Sequence, residues 1–195
     1  MQRIERFWVL VLFLVVGWVR IVSAEIEIGF KTGAYIPSEA PFNSEFDTDL
    51  LLGGVLGLDS NLGLQLGISV EYYSSNSKSS TLGGDVTVVP LIFSAQYNFL
   101  PRYSTTPYVG LGLGPYFFDR DFASGKSNSS TEFGVRIFGG IKFFEDRPVN
   151  FFIEGGRNFV DFNGDNAGSF QITGGILVDL NPTTLSKPPP PPPPR

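Results

Sequence analysis

Apolar and small residues take turns along residues 107–118, PYVGLGLGPYFF. Val109, Leu111, Leu113, Pro115 and Phe117 fall on one face; Tyr108, Gly110, Gly112, Gly114, Tyr116 and Phe118 fall on the other. A period of two is that of a β-strand, whose side chains point alternately to opposite faces. The pattern recurs. Residues 25–36 set Ile26, Ile28, Phe30, Ala34 and Ile36 against Glu25, Glu27, Gly29, Lys31, Gly33 and Tyr35. Residues 62–73 set Leu62, Leu64, Leu66, Ile68, Val70 and Tyr72 against Gly63, Gln65, Gly67, Ser69, Glu71 and Tyr73. Residues 132–144 separate Phe133, Val135, Ile137, Ile141 and Phe143 from Glu132, Arg136 and Lys142. Strands near 49–58, 85–99, 149–160 and 168–180 bring the predicted count to eight.

The connections alternate in length. Residues 37–48, 74–84, 119–131 and 161–167 are long or polar, whereas 59–61, 100–106 and 145–148 are short. Long loops at one end and tight turns at the other mark an up-and-down outer-membrane barrel, with the turns in the periplasm. The expected fold is therefore all-β, an eight-stranded antiparallel up-and-down transmembrane β-barrel over residues 25–180. A soluble barrel would wet one face, but the non-aliphatic face here is rich in glycine and aromatics, poor material for a solvated strand surface. Turned inside out, the pattern fits. Aliphatic residues meet lipid, glycines leave room in a narrow lumen, and closure leaves no unpaired edge in hydrocarbon. Tyr97, Phe99, Phe143 and Phe151 lie near strand ends, where aromatic girdles form. Leu66 is expected to face lipid near the midplane, and neighbouring Gly67 the lumen, where an added methyl would act by crowding. The glycine doublets at 53–54, 139–140, 155–156 and 174–175 are expected to let the wall bend.

The run Gly110, Gly112, Gly114 is no phosphate cradle, because a polar stretch, DRDFASGKSNSST, follows it in place of a helix. Other chemistry is sparse too. The chain has no histidine and no cysteine, which removes the usual bases, the usual zinc ligands and any disulfide. No enzyme activity, cofactor or metal is expected. Residues 1–24 have the form of a cleaved secretory signal: Arg3 and Arg6, the 13-residue apolar run FWVLVLFLVVGWV, then VSA before Glu25. The apolar run is too short for a helix to span the ~30 Å hydrocarbon core. Without Arg3, Arg6, Arg20 and Glu5 the chain carries 11 Lys+Arg and 18 Asp+Glu, a net charge of −7, which argues against nucleic acid as a partner.

At VVPLIFSAQYNF (88–99) followed by PYVGLGLGPYFF (107–118), the chain resembles the OmpW-like branch of eight-stranded outer-membrane barrels, whose grammar the OmpA-like and OmpX-like barrels share. The last strand, TGGILVDL (173–180), resembles the assembly signal read by the barrel-insertion machinery, with Thr173, Gly175, Val178 and Leu180 at the usual offsets and Leu in place of a terminal Phe. Residues 181–195 follow, with seven prolines at 188–194. The expectation is a proline-rich, disordered periplasmic tail, extended as polyproline at ~3.1 Å per residue. A proline-binding partner and the linker of an OmpA-like protein are the other readings, and no partner can be named.

The inward residues sort by depth. Leu51, Tyr73, Val86, Val88, Ile92, Tyr116, Phe118 and Val160 are expected to line an apolar upper lumen. Glu25, Gln96, Asn98, Asn150 and Asp179 lie lower, with Glu27, Lys31, Arg136, Lys142 and Glu154 forming a polar plug. Lys142 and Glu154, diagonal across the 145–148 turn, are expected to pair, because an unpaired buried charge is costly. Pro90 and Pro115 fall at one height in adjacent strands, where neither can donate to the ladder. They mark either a bulge or a lateral gap to the bilayer. Two functions stay open. The OmpW-like resemblance implies a passive conduit or binding pocket for small hydrophobic molecules. An OmpX- or OmpA-type barrel would instead be structural or bind partners through its external loops. Either way the lipid bilayer and outer-membrane lipids surround the wall.

Overall fold

A computed structural model describes residues 25–180 apart from 41, 61, 77–83, 102, 123–126, 163 and 164. The signal segment 1–24 and the tail 181–195 lie outside the described residues. Among the described residues ten strands occur in chain order: β1 (Glu25–Pro37), β2 (Asp49–Asp59), β3 (Leu64–Asn76), β4 (Gly84–Asn98), β5 (Thr105–Phe122), β6 (Ser127–Phe143), β7 (Val149–Phe159), β8 (Asp161–Phe162), β9 (Asp165–Asn166) and β10 (Ser169–Asp179). One turn of helix, α1 (Phe42–Glu45), sits between β1 and β2. β8 and β9 pair only with each other, in the connection before β10. The other eight strands close into an antiparallel barrel in which each strand pairs with its chain neighbour and β10 seals against β1. Closure pairs every long strand on both edges and leaves none of them open to lipid.

The two ends differ as the loop lengths predict. The turn end holds the connections from β2 to β3, β4 to β5 and β6 to β7; the loop end holds those from β1 to β2, β3 to β4, β5 to β6 and β7 to β10. The boundaries of β3, β5 and β6 depart from the sequence pattern. The β5–β6 hairpin climbs past the apolar region, pairing Asp119 with Ser129 and Asp121 with Ser127, so most of the polar stretch predicted as loop is ladder. Its β-permissive Ser and Thr residues extend the strand beyond the apolar belt. β3 starts at Leu64, not Leu62, because Gly63 turns the chain with φ of 82°, a conformation that suits glycine. A side chain there would also meet the Asn98 carbonyl at 2.5 Å.

Outward positions carry the apolar set. Phe30, Leu56, Ile68, Leu111, Ile137, Ile153 and Ile172 are all exposed. Tyr97 and Phe99 meet edge to face at 5.5 Å, and Phe144 and Phe151 at 6.3 Å, near the turn end. Side chains fill the lumen, and the alternate glycines of β5 make room for them. A methyl on Gly110 would overlap the Phe138 ring, one on Gly112 would come within 2.6 Å of Ile92, and one on Gly114 would overlap the Leu91 carbonyl oxygen. Gly114→Ala is therefore expected to push β4 away at the cost of about 1–3 kcal/mol. Gly67→Ala crowds only the rotatable Ser94 hydroxyl, at 2.8 Å, with the Leu56 carbonyl at an ordinary 3.6 Å, and is expected to change stability little. Urea unfolding of the two variants in bilayers checks the contrast.

Candidate functional site

The candidate site is the lumen, which has three levels. At the loop end, Leu51, Tyr73, Val86, Val88, Ile92, Tyr116 and Phe118 are buried in one cluster with Tyr35, Val160 and Ala167. Tyr35 and Tyr73 stack with ring centroids 3.8 Å apart. Phe46, which follows α1, closes the cluster from above and is 1% exposed. Arg120 stands 5.3 Å over the Phe46 ring and pairs with Glu45 at 3.1 Å. The residues expected to line an open upper lumen thus come together but fill it. Phe46 was invisible to strand periodicity, because it lies in a loop.

The middle level is ionic. Lys31, Gly53 and Glu71 lie in one cross-strand row, so Lys31 reaches Glu71 over a position with no side chain. A methyl on Gly53 would stand 3.2 Å from Glu71 Cγ and 3.3 Å from Lys31 Cε. Arg136, on β6, crosses the lumen and binds Glu71 through Nη1 and Glu154 through Nη2, the latter at 2.5 Å. Gln171 donates to Glu71 at 3.1 Å, and the Tyr108 hydroxyl donates to Glu154 at 3.1 Å. Two cations and two carboxylates balance, and each charge has a partner, which is what a dry interior requires. A second polar layer joins this level to the apolar cluster: the Tyr116 hydroxyl donates to Asn158 at 3.0 Å, and Asn158 donates to Ser169 at 2.9 Å.

The third level faces the turn end. Lys142 donates to Gln65 at 2.9 Å and to Glu27 at 3.2 Å, and Gln65 donates to Glu27 at 2.5 Å. Asp59 and Glu145 each stand 3.8 Å from the Lys142 ammonium. The expected Lys142–Glu154 pair does not form. Glu154 lies opposite Gly140 and Lys142 opposite Phe152, and the longer Arg136 reaches Glu154 first. Glu71, the carboxylate shared by Lys31 and Arg136, is inward by its alternation but is not among the residues the sequence pattern assigns to the plug. A cavity of about 50 Å³ lies between the levels, among Lys31, Gln65, Ser94, Gln96, Arg136 and Glu154. That is about a third of the ~150 Å³ that accepts benzene in an engineered core, so it suits water and not an apolar solute.

Pro90 points into the lumen and Pro115 outward, and Pro90 lies opposite Tyr116. Each interrupts a different seam. The β3–β4 ladder skips Val89–Pro90 and resumes at Tyr73↔Val88; the β4–β5 ladder skips Gly114–Pro115 and resumes at Phe93↔Leu113. The register is the same on both sides of each break, so no residue is inserted and neither proline marks a bulge. Nor does the wall part between β4 and β5, since Gly114 packs against the Leu91 carbonyl.

No family model matches the chain. No curated protein matches it in sequence. Solved structures do match in fold. Neisserial surface protein A superposes with a TM-score of 0.63 at 14% identity, over 78% of this chain and 96% of that one. The outer membrane protein OprG from Pseudomonas aeruginosa gives 0.58 at 12% identity, over 80% and 93%. A major outer membrane protein from Thermus thermophilus gives 0.55 at 11% identity, over 79% and 99%. With its closed strand order, its apolar outer wall and these likenesses, the chain has the fold of the eight-stranded outer-membrane β-barrels.

Proposed function

We propose that the chain is a sealed outer-membrane barrel, with its loops outside the cell and its turns in the periplasm. It acts as a structural or surface-interaction protein through its wall and loop end, and not as a conduit through its lumen. The observation that carries this reading is the double closure of the lumen, by the Phe46-capped apolar cluster and by the balanced Lys31–Glu71–Arg136–Glu154 network. A solute on the axis would have to displace both. The loop end presents exposed Asp47, Asp85, Asp119, Asp121 and Asp161, so its field favours basic partners. Assembly is assigned to the insertion machinery acting on β10, the closing strand.

Uptake of a small apolar fluorophore into proteoliposomes tests the reading. A sealed barrel gives the rate of protein-free liposomes, and Pro90→Val and Pro115→Val leave that rate unchanged. Uptake above the protein-free rate, slowed by either substitution, would restore the conduit with a lateral exit at the prolines.

A further inference from the structure

The outer wall holds a feature that the sealed lumen does not explain. A groove crosses it from β5 to β1, with Gly139 and Gly155 as its floor and Val109, Ile137, Phe170, Ile172 and Ile36 along its sides. Gly139 and Gly155 face each other across the β6–β7 ladder. The inward glycines are required by what packs on them, but Gly155 is not. A methyl there would come no nearer than 4.0 Å to an atom of a neighbouring strand, the Gln171 carbonyl oxygen. At Gly155 the floor is therefore open wall that the chain's own packing does not require.

Arg157 stands at the loop-side rim, the next outward residue of β7, where it interrupts an apolar face between Gly155 and Phe159. Its guanidinium lies 5.0 Å from the Phe159 ring centre and 5.1 Å from that of Phe170, which fixes it against the wall. Glu39 engages one terminal nitrogen, and the side chain remains 40% exposed. The Nε is shielded from solvent and unpartnered, so an incoming anion would meet the terminal nitrogens. A guanidinium fork matches the oxygens of a phosphate and is weakly hydrated, so it is well suited to the edge of hydrocarbon. An apolar trough ending in a pinned cation has the complementary form of an anionic lipid.

We propose that this groove binds the phosphorylated, multiply acylated glycolipid of the outer leaflet, lipid A, with acyl chains over Gly139 and Gly155 and a phosphate on Arg157. The choice of lipid rests on the loops-out orientation proposed above, which puts Arg157 in the outer leaflet. The groove spans five strands, roughly 19 Å at about 4.8 Å per strand step, wider than a single chain needs.

The test is native mass spectrometry of the full chain, released from detergent micelles containing either diphosphoryl lipid A, its dephosphorylated form, or phosphatidylglycerol. The heat-modifiable gel shift of folded barrels controls for folding of each variant. One lipid A is expected to stay bound per barrel, with the other two lipids retained at least tenfold less. Arg157→Gln and Gly155→Leu should each lower lipid A retention at least tenfold, the first by removing the cation and the second by filling the floor. Glu39→Gln should retain lipid A as well as the parent or better, because it removes a competing carboxylate. Retention unchanged in a folded Arg157→Gln, or lost equally in Glu39→Gln, would reduce the arginine to a structural ion pair and overturn the site. Equal retention of phosphatidylglycerol would also overturn it, whatever the uptake experiment shows about the lumen.

Discussion

Arg136→Met is expected to cost the folded barrel about 3–5 kcal/mol, read as a lower urea midpoint for unfolding in lipid bilayers. The side chain is 2% exposed and holds two carboxylates at once. Without it, Glu71 keeps Lys31 and Gln171, but Glu154 keeps only the Tyr108 hydroxyl, and the level carries a net negative charge inside a closed wall. The loss is therefore mostly that of stranded charge, not of the pair's own attraction. Adding Glu154→Gln removes the stranded carboxylate, so the double variant should be less destabilised than the two single losses added together. A coupling of about 0.5–3 kcal/mol is the range for residues in one network. Additive losses, or an Arg136→Met barrel as stable as the parent, would remove the network from the explanation of the fold.

Ile68→Arg is expected to cost about 2–4 kcal/mol, the penalty for a cation at the bilayer midplane of a barrel. The apolar outward positions of β3 are Leu64, Leu66, Ile68, Val70 and Tyr72, and Ile68 is the middle one. Leu66, which the sequence pattern suggested for the midplane, lies one outward step nearer the turn end. Arginine there should cost less, because its long side chain can reach the interface. A graded pair of urea midpoints supports both the face and the depth. An Ile68→Arg barrel that unfolds like the parent would mean that the apolar wall does not meet lipid.

The wall was legible because a period of two is imposed on every residue of a strand, and lipid on one side with crowding on the other leaves few residue types free at each position. Hence β1, β2, β4 and β7 fall within a residue or so of their predicted spans, and the Pro90–Tyr116 alignment could be counted out from the turn. What the pattern does not carry is distance across the lumen. It places Lys142 and Glu154 as diagonal neighbours but is blind to Arg136 arriving from higher up the same strand, or to Glu71 facing it from the opposite wall. Nor does it reveal that Phe46, in a loop with no periodicity, folds back to stopper the apolar end. The two polar arms of the β5–β6 hairpin read as loop because polarity alone does not distinguish an exposed turn from a ladder that stands clear of the membrane.

The most direct test is the conductance of the folded chain in a planar bilayer at high salt, with and without Arg136→Met. A lumen closed by packed side chains at one level and by a balanced ionic network at the next gives no resolved channel openings from the parent protein. Stable, ohmic single-channel steps from the parent would show a continuous aqueous path and contradict a sealed barrel.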